Sequence, residues 1–304
     1  MSGNKKILVR KASGQEEWFD EKKLRRSLLR AGAGEHDVHK IVSQIKDSLY
    51  SGITTTQIYK AAFMLLRKGA KPVASRYKLK LAIMELGPSG FPFERYVAAI
   101  LQEQGFKTQT GIIVQGHCVK HEVDVIAEKD NHHYMVECKY HNHRGTVCDV
   151  KIPLYINSRF KDVEARWIKL PGHDIKLHQG WVVTNTKFTS DAILYGTCIG
   201  LNLLGWDYPR KGSLNELIER LGLYPLTSMT TISRSEKQVL LDAGIVLCRD
   251  IVDRPELLKK IDVTGAKAAK ILSEAQILCE KLLRRNGQLA TGKEQEPNPS
   301  EEPL

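Results

Sequence analysis

Residues 121–140 have the sequence HEVDVIAEKDNHHYMVECKY, in which two largely apolar stretches flank a short polar one. Apolar stretches rich in Val, Ile and Tyr, separated by turn-forming residues, predict the two strands of a β-hairpin. The connection contains Asp130-Asn131, a pair that favours a turn. A hairpin with this turn brings Asp124 of the first strand beside Glu137 of the second.

Side-chain alternation groups the charged residues of this hairpin. Successive side chains of a strand point to opposite faces of the sheet, so Glu137 and Lys139 share one face and lie about 7 Å apart. In the first strand, Val123 and Val125 are expected on one face and Asp124 on the other. Two carboxylates and one lysine would then meet at one end of the hairpin.

Two carboxylates and a lysine in one place are typical of a metal site that activates a nucleophile. Mg²⁺ prefers oxygen ligands and keeps several waters. A bound ion can lower the pKa of water and stabilise charge on a phosphate. We expect Asp124 and Glu137 to bind Mg²⁺ or Mn²⁺, with the Cys138 carbonyl as a further oxygen ligand. Lys139 would orient or help deprotonate the attacking water. An ordinary surface hairpin with a Glu–Lys ion pair is the alternative interpretation.

The residues on both sides of the hairpin predict a mixed α/β sheet with helices on both faces. Gly87-Pro88-Ser89-Gly90 indicates a domain boundary, and the predicted domain covers residues 89–207. The predicted helices are Phe93–Gln104, Asp149–Val163 and Ser190–Ile199, and the predicted strands are Thr108–Gln115, Cys118–Ala127, Tyr134–Tyr140, Trp181–Thr184 and Leu201–Trp206.

Five landmarks, in this order, resemble the Mrr-like restriction endonucleases of the PD-(D/E)XK superfamily. They are Phe93-Glu94, Asp124 with Val125-Ile126-Ala127, Val136-Glu137-Cys138-Lys139, Val183-Thr184-Asn185-Thr186 with the helix after it, and Leu203-Leu204-Gly205-Trp206. The resemblance covers about residues 91–220 and implies a restriction-endonuclease-like α/β fold that cleaves DNA. It implies metal binding by Asp124 and Glu137 and catalysis by Lys139. Glu94 would support the site as a nearby acid, or serve only as a first-turn helix acid.

One stretch departs from that family. His121-Glu122-Val123 stands where its members often have glycines just before the Asp. This difference leaves the loop geometry open but keeps Asp124, Glu137 and Lys139.

The positive charge is concentrated at the N-terminal end. The formal net charge is +11, and residues 1–90 contain 18 Lys and Arg against 8 Asp and Glu. Such a balance suggests a polyanionic partner, nucleotide or DNA, and a solvated basic helix surface is the alternative. Residues 1–88 predict a mostly helical domain that begins with a hairpin. The predicted strands are Lys6–Lys11 and Glu16–Phe19, joined at Ser13-Gly14, and the helices are Leu24–Leu29, Val38–Leu49, Gln57–Arg67 and Val73–Leu86.

Residues 5–86 resemble the ATP cone, the nucleotide-sensing domain of ribonucleotide reductases and their repressors. The matching stretches are Ile7-Leu8-Val9-Arg10-Lys11, Gly14, Glu17, Phe19-Asp20, Lys22-Lys23-Leu24, Gly52-Ile53-Thr54-Thr55 and Tyr77–Leu86. The resemblance implies binding of ATP or dATP by the Val9-Arg10-Lys11 strand with Glu17, Lys23 and Thr55. Lys11 and Lys23 would contact phosphates, Glu17 would lie near the sugar or base, and Thr55 would donate from its helix start.

The same stretch leaves two points open. Ala12 follows Lys11 where the family usually has Arg, and whether Arg10 replaces that Arg is undecided. A small basic domain that binds DNA or a partner without nucleotide is the alternative.

Residues 208–285 predict a small α-helical module. Residues 257–272 resemble a helix-hairpin-helix, which binds DNA phosphates through backbone N–H groups. Asp262-Val263-Thr264 replaces the usual Gly-hydrophobic-Gly loop. Lys267 and Lys270 would face the DNA backbone, whereas a purely structural helix pair is equally compatible. Residues 286–304, rich in Glu, Pro, Gly and Gln, are expected to be disordered.

The combination predicts a Mg²⁺-dependent endodeoxyribonuclease tuned by ATP or dATP. A non-catalytic, nucleotide-responsive DNA-binding regulator is the alternative. We expect a homo-oligomer, because double-strand cutting usually needs two active sites. No apolar run reaches the ~18 residues that span a membrane, and the short apolar stretch near the start is too short for a signal-peptide core. The protein is therefore expected in the cytoplasm, with its six cysteines reduced.

Overall fold

The computed structural model describes residues 7–11, 14–69, 71–143, 145–172 and 177–290; of residues 71, 72, 177 and 281–290 it describes the backbone alone. Lys6 and Ser13 of the predicted first hairpin lie outside these ranges. No helix within the described ranges is both long enough and apolar enough to span a bilayer.

The N-terminal part packs helices on a small sheet. Strands β1 (Leu8–Arg10), β2 (Glu16–Trp18) and β3 (Ile53–Thr54) pair in the order β2-β1-β3, with β1 and β3 parallel. The helices are α1 (Glu21–Arg30), α2 (Glu35–Asp47), α3 (Thr55–Gly69) and α4 (Lys71–Tyr77). Helix α1 begins where the Asp20 side chain accepts a hydrogen bond from the Lys23 N–H, since a carboxylate can satisfy a free N–H of the first turn. The apolar faces of these elements form one core around Val9, Leu28 and Val42.

The single helix predicted over Val73–Leu86 is wrong: the chain forms α4 and then α5 (Leu79–Met84), with a break at Lys78. Ala74 of α4 packs in the N-terminal core, whereas Leu79 and Ile83 pack in the next core along the chain. The two segments face different cores, and one straight helix would not bury both apolar faces.

The central part is a five-stranded mixed sheet, which confirms the predicted α/β core. Its strands are β4 (Lys107–Gln115), β5 (Lys120–Lys129), β6 (His132–Lys139), β8 (Leu177–Thr184) and β10 (Asn202–Leu204), in the order β10-β8-β6-β5-β4. The β4–β5 and β5–β6 pairs are antiparallel, and the β6–β8 and β8–β10 pairs are parallel. A second, unpredicted two-stranded ladder joins β7 (Val147–Cys148) to β9 (Lys187–Phe188).

Helices cover both faces of this sheet. Helices α7 (Lys151–Trp167) and α8 (Ser190–Cys198) pack on one face, over Met135 and Val182. Helix α6 (Phe91–Glu103) packs on the other face, over Val125 and Val136. Helix α7 starts two residues later and ends four residues later than the predicted Asp149–Val163.

The C-terminal part is helical, and its described residues from 208 onward contain no strand. Its helices are α9 (Leu214–Leu221), α10 (Arg234–Asp242), α11 (Cys248–Asp253) and α12 (Gly265–Ala290), with 3₁₀ turns at Leu226–Ser228 and Pro255–Ile261. These helices share one apolar core with α6 and the sheet. The predicted disordered segment begins at 286, but α12 continues to Ala290; the rest of that segment, 291–304, lies outside the described residues.

One buried carboxylate ties the N-terminal and C-terminal parts together. Glu274 of α12 accepts hydrogen bonds from the Ser75 hydroxyl of α4 and from the backbone N–H and hydroxyl groups of Thr230 and Thr231. Burial raises the pKa of Glu274, but these hydrogen bonds outweigh it and hold the pKa below its usual value. Hydrogen bonds to a charged group contribute about 1.5–3 kcal/mol each, so this cluster fixes how α4 sits on α12.

Candidate active site

The predicted hairpin forms, and its turn sets the strand register. Asp130 and Asn131 have φ angles of 49° and 60°, the left-handed conformations that a two-residue hairpin turn requires. On either side, Lys129 pairs with His132 and Ile126 with Met135. Asn and Asp tolerate positive φ better than other residues with a side chain, so the sequence Asp-Asn fixes which residues of β5 and β6 face each other.

The alternation of side chains between the two faces of the sheet is interrupted at Asp124, so the prediction that Val123 and Val125 share one face is wrong. Val123 packs in the core under α7, whereas Val125 packs in the core under α6. The β4–β5 ladder pairs Thr110 with Val125 and Ile112 with Val123 but omits the intervening Gly111 and Asp124, and Gly111 has a φ of 62°. A glycine at positive φ introduces an irregularity into a strand, which takes Asp124 out of the regular ladder.

Asp124 lies beside the end of β6, as predicted. The antiparallel ladder between β5 and β6 ends at Val125 and Val136. Beyond it, the Cys138 N–H donates to Asp124 Oδ2 over 2.7 Å. This bond satisfies a backbone donor where the two strands separate, and it places the Asp124 carboxylate next to Glu137.

Glu137 is the most buried acid of the group, at 4% exposure. Its Oε1 accepts from Lys139 Nζ over 2.6 Å, which confirms that the two side chains share a face. Its Oε2 accepts from Arg159 Nη1 of α7 over 2.7 Å, and Arg159 Nη2 also donates to the Glu122 carbonyl. Both oxygens of this buried carboxylate are therefore held by cations.

Glu94, in the first turn of α6, faces the same cluster. Burial raises the pKa of Glu94 to about 7, and the charges of Asp124, Glu122 and Glu137 add to that shift. Burial, followed by the charge of Glu137, raises the pKa of Asp124 to about 6, although the Cys138 N–H, Lys139 and Arg159 oppose it. Burial is the larger cause of both shifts, and the neighbouring carboxylates add to it, because three carboxylates, those of Glu94, Asp124 and Glu137, lie near two cations, Lys139 and Arg159.

This excess of negative charge fits a divalent cation. Among the described residues, no group of three or more His, Cys, Asp or Glu side chains is arranged so that it could hold a metal ion. Mg²⁺ does not need such a cage, because it is usually bound by one or two carboxylates together with waters and substrate phosphate oxygens. Asp124 and Glu137 provide two adjacent carboxylates of that kind.

Hydrogen bonds from the buried side chains of Thr184 and Asn185 hold the end of β6, which carries Lys139. The Thr184 hydroxyl donates to the Lys139 carbonyl over 2.8 Å. The Asn185 amide accepts from the His141 N–H over 2.9 Å and donates to the His141 carbonyl over 2.8 Å. Thr184 and Asn185 are fully buried. Beyond the backbone pairing of β6 with β8, the side chains of these two residues therefore connect the two chain segments by hydrogen bonds.

Sequence reasoning missed Arg159 and the role of Asn185. Asn185 stands inside the quoted Thr-x-Thr landmark, which was a usable signal. No comparable pattern marks Arg159, since it lies 22 residues after Glu137 on a helix. The register between a helix and a sheet depends on tertiary packing, and spacing along the chain does not encode it.

The predicted nucleotide-binding residues partly converge. Lys11 and Lys23 lie 2.8 and 3.3 Å from Glu17 Oε2, and the Lys11 hydrogen bond is the main cause of the lowered pKa of Glu17. Val9 is buried in the core, Arg10 is exposed on the next position of β1, and Thr55 is the first residue of α3. Lys11, Glu17 and Lys23 thus form one group, whereas the Val9 side chain faces away from solvent.

The two predicted DNA-binding lysines lie near the start of α12. Lys267 pairs with Glu236 of α10, and its hydrogen bond lowers the pKa of Glu236 to about 2. Lys270 is exposed. The helix predicted before this loop is a 3₁₀ turn, and Asp262 within the loop has a φ of 51°. The motif therefore departs from a regular helix-hairpin-helix in its first helix as well as in its loop.

Three family models match successive parts of the chain. The ATP cone domain matches residues 7–80, the restriction endonuclease catalytic domain of the Mrr type matches residues 87–152, and the AF1548-like C-terminal domain matches residues 224–279. The first two matches confirm both resemblances inferred from the sequence. The restriction-endonuclease match includes Glu94, Asp124, Glu137 and Lys139, and Arg159 lies beyond its end.

Two relatives match most of their own length. An uncharacterized protein of Archaeoglobus fulgidus is 41% identical over 184 residues, which cover 59% of this chain and 98% of the relative. A crystal structure described as a protein of unknown function, AF1548, is 39% identical, with a TM-score of 0.52 over 62% of this chain and 98% of that one.

Proposed function

Because this chain belongs to the AF1548-like family and carries an ATP-cone domain together with a restriction-endonuclease-like domain, we propose that it is a metal-dependent DNA endonuclease regulated by ATP or dATP. We assign residues 1–88 to the cone, 89–207 to the nuclease and 208–285 to the helical module. Of the remaining tail, 286–304, residues 286–290 belong to α12, and the prediction of disorder is kept for 291–304, which lie outside the described residues.

The observation that carries this proposal is the convergence of three side chains beyond the last pair of the β5–β6 ladder, Val125 with Val136. Asp124 is bonded to the backbone N–H of Cys138, and Glu137 is bonded to Lys139. A buried Glu alone would be explained by its ion pairs with Lys139 and Arg159. Those ion pairs do not explain the second carboxylate, that of Asp124, whose pKa is raised by burial and by the charge of Glu137.

In this proposal Asp124, Glu137 and the Cys138 carbonyl would hold Mg²⁺ or Mn²⁺. The ion, when bound, would stabilise negative charge on the scissile phosphate and acidify a bound water. Lys139 would orient the attacking water with its ammonium, and its contact with Glu137 Oε1 limits where that ammonium lies. Glu94 would support the site as a nearby carboxyl, since it faces Asp124 and Glu137 from the first turn of α6.

Nucleotide binding is proposed at the Lys11, Glu17 and Lys23 group. Phosphates would compete with Glu17 for the two ammonium groups, because a nucleotide triphosphate carries more negative charge than one carboxylate. Thr55 lies at the first turn of α3, where backbone N–H groups favour anions. We further propose that Lys267 and Lys270 contact DNA phosphates.

The testing experiment is incubation of the full chain with circular plasmid and Mg²⁺, with and without ATP or dATP. Wild type should nick or linearise the plasmid, EDTA should stop it, and nucleotide should change the rate. The Glu137→Ala variant should lose cleavage at least 100-fold, while Glu256→Ala, at an exposed position, should keep it. Cleavage by folded Glu137→Ala would refute the site.

The same assay separates the alternative function. A non-catalytic, nucleotide-responsive regulator would bind DNA without cutting it under every metal and nucleotide condition.

A further inference from the structure

A large cavity lies where helix α5, the segment after β6 and helix α10 meet. We call α5 the linker helix, because it connects the N-terminal part to the central part. Its volume is about 710 Å³, within the range of ligand-binding pockets. Its charged lining residues are Lys78, Glu85, Arg234 and Lys237, and Asn142 and His143 form part of its wall. Asn142 and His143 lie three and four residues after Lys139, the last residue of β6.

Two ammonium groups converge inside this cavity. Lys78 Nζ and Lys237 Nζ donate to the same carbonyl oxygen, that of Thr227, over 3.3 and 3.1 Å. Lys78 also pairs with Glu85 over 2.6 Å. Lys237 is only 8% exposed and has no ion pair with a described carboxylate. Among the described residues that line the cavity, these two lysines and Arg234 face one carboxylate, that of Glu85.

The electrostatics of Lys237 agree with that geometry. Burial lowers the pKa of Lys237 to about 8, and the neighbouring charge of Lys78 lowers it further, with the charges of Glu85 and Glu274 opposing. A buried charge is costly unless it is paired. With Arg234 at the exposed rim, the cavity holds three cations against one carboxylate, and an anion would offset the difference.

We propose that this cavity is a phosphate-binding site, in which Lys78, Arg234 and Lys237 contact the non-bridging oxygens of one phosphate or of two adjacent phosphates. Lys and Arg are the residues that suit this ligand, Lys as a point charge and Arg through its planar fork. The phosphate belongs either to the DNA backbone next to the cleaved strand or to a free phosphoanion. The DNA source rests on the proposed function.

This site is separate from the predicted nucleotide site. Lys11, Glu17 and Lys23 lie on β1, β2 and α1 of the cone, and none of them lines the cavity. The cavity instead joins the linker helix to the C-terminal module. Occupancy would therefore bridge the two parts of the chain that flank the nuclease sheet.

The test compares two cavity variants with a surface control in the full chain. Arg234→Gln changes the exposed rim and should fold normally, and Arg234→Gln with Lys237→Met removes two cations. Lys260→Gln, an exposed lysine outside the cavity, is the control. All carry Glu137→Ala, so that DNA is bound without being cut, and unfolding curves verify that each is folded.

Two ligands distinguish the sources of phosphate. Duplex DNA binding is measured from 50 to 200 mM salt, and the slope of log K against log salt should fall by about 0.9 per lost phosphate contact in duplex DNA. Pyrophosphate binding is measured by calorimetry. A smaller slope in the cavity variants supports a DNA phosphate, and weaker pyrophosphate binding with an unchanged slope supports a free phosphoanion.

Equal slopes and equal pyrophosphate affinities in the folded cavity variants and the control would overturn the proposal. Plasmid cleavage by the wild type is scored separately. Failure of the phosphate site and failure of the nuclease function therefore give different results.

Discussion

Arg159 stands out among the individual residues because it reaches the candidate active site from a helix on one face of the sheet. One guanidinium nitrogen bonds to Glu137 Oε2 and another to the Glu122 carbonyl. A guanidinium can hold two acceptors in a fixed geometry, whereas an ammonium is a single point charge. We infer that Arg159 positions the Glu137 carboxylate without touching the substrate.

Replacing Arg159 should therefore lower the cleavage rate without weakening DNA binding. Arg159→Gln should reduce kcat about 10-fold or more while KM for DNA changes little, because the buried carboxylate loses its second restraint. Arg159→Lys should restore part of kcat, since it can keep one of the two bonds. Steady-state cleavage rates across DNA concentrations measure both constants.

The matched control is Lys161→Gln, an exposed change two residues away on the same helix. A kcat for Arg159→Gln equal to that of this control would contradict the positioning role.

The contrast between Lys139 and Arg159 marks what the sequence could predict at this scale. Two-residue spacing on a strand places Lys139 beside Glu137 whatever surrounds the strand. The position of Arg159 depends on where α7 crosses the sheet, which follows from packing over the whole domain. Local patterns thus predicted the acids and the lysine, but not Arg159, the residue that restrains Glu137.

Among the elements, the hairpin could be predicted from the sequence, and the break between α4 and α5 could not. Asp130-Asn131 supplies its own turn conformation, so the pairing of β5 with β6 follows from two residues. The break between α4 and α5 arises because each helix packs in a different core. Helical propensity favours one continuous helix there, and tertiary packing overrides it.

Helix α8 and strand β10 offer a test of how closely the sheet and its helices are packed. A Cβ added at Gly196 would lie 2.6 Å from Leu203 Cδ1 and 3.0 Å from Leu203 Cγ. Gly196→Ala should lower the free energy of unfolding by about 1–3 kcal/mol through overpacking, despite the better helix propensity of Ala, worth about 1 kcal/mol. Urea unfolding measures the difference.

A second glycine provides the control. Gly69, at the end of α3, has no described atom within 4 Å of an added Cβ, so Gly69→Ala should be neutral or stabilising. If both variants were equally stable, helix α8 would be packed more loosely on β10 than the structure indicates.

At the scale of the whole molecule, the cone is joined to the active-site region through α5. Lys80 Nζ donates to the Asn185 carbonyl over 3.0 Å and lies 4.2 Å from the centre of the Trp206 ring. Asn185 in turn holds the backbone of His141, just after β6. A shift of α5 would therefore move Asn185 and, through its bonds to His141, the end of β6 that carries Lys139.

This buried lysine should also make stability depend on pH. Burial lowers the pKa of Lys80 to about 7, with Asp207 opposing that shift and Lys187 adding to it. Between pH 7 and the usual lysine value near 10.5, the unfolded chain then binds more protons at this residue than the folded chain does. The wild type should therefore gain stability relative to Lys80→Met as pH rises from 7 to 9, by about 1 kcal/mol per pH unit. Below pH 7 the difference should be constant, because Lys80 is charged in both states.

Urea unfolding of wild type and Lys80→Met at pH 6, 7, 8 and 9 measures this difference, with Lys60→Met, at an exposed position, as the control. A difference between wild type and Lys80→Met that stays flat across this range would mean that Lys80 keeps an ordinary pKa and is better solvated than its contacts with Asn185 and Trp206 indicate.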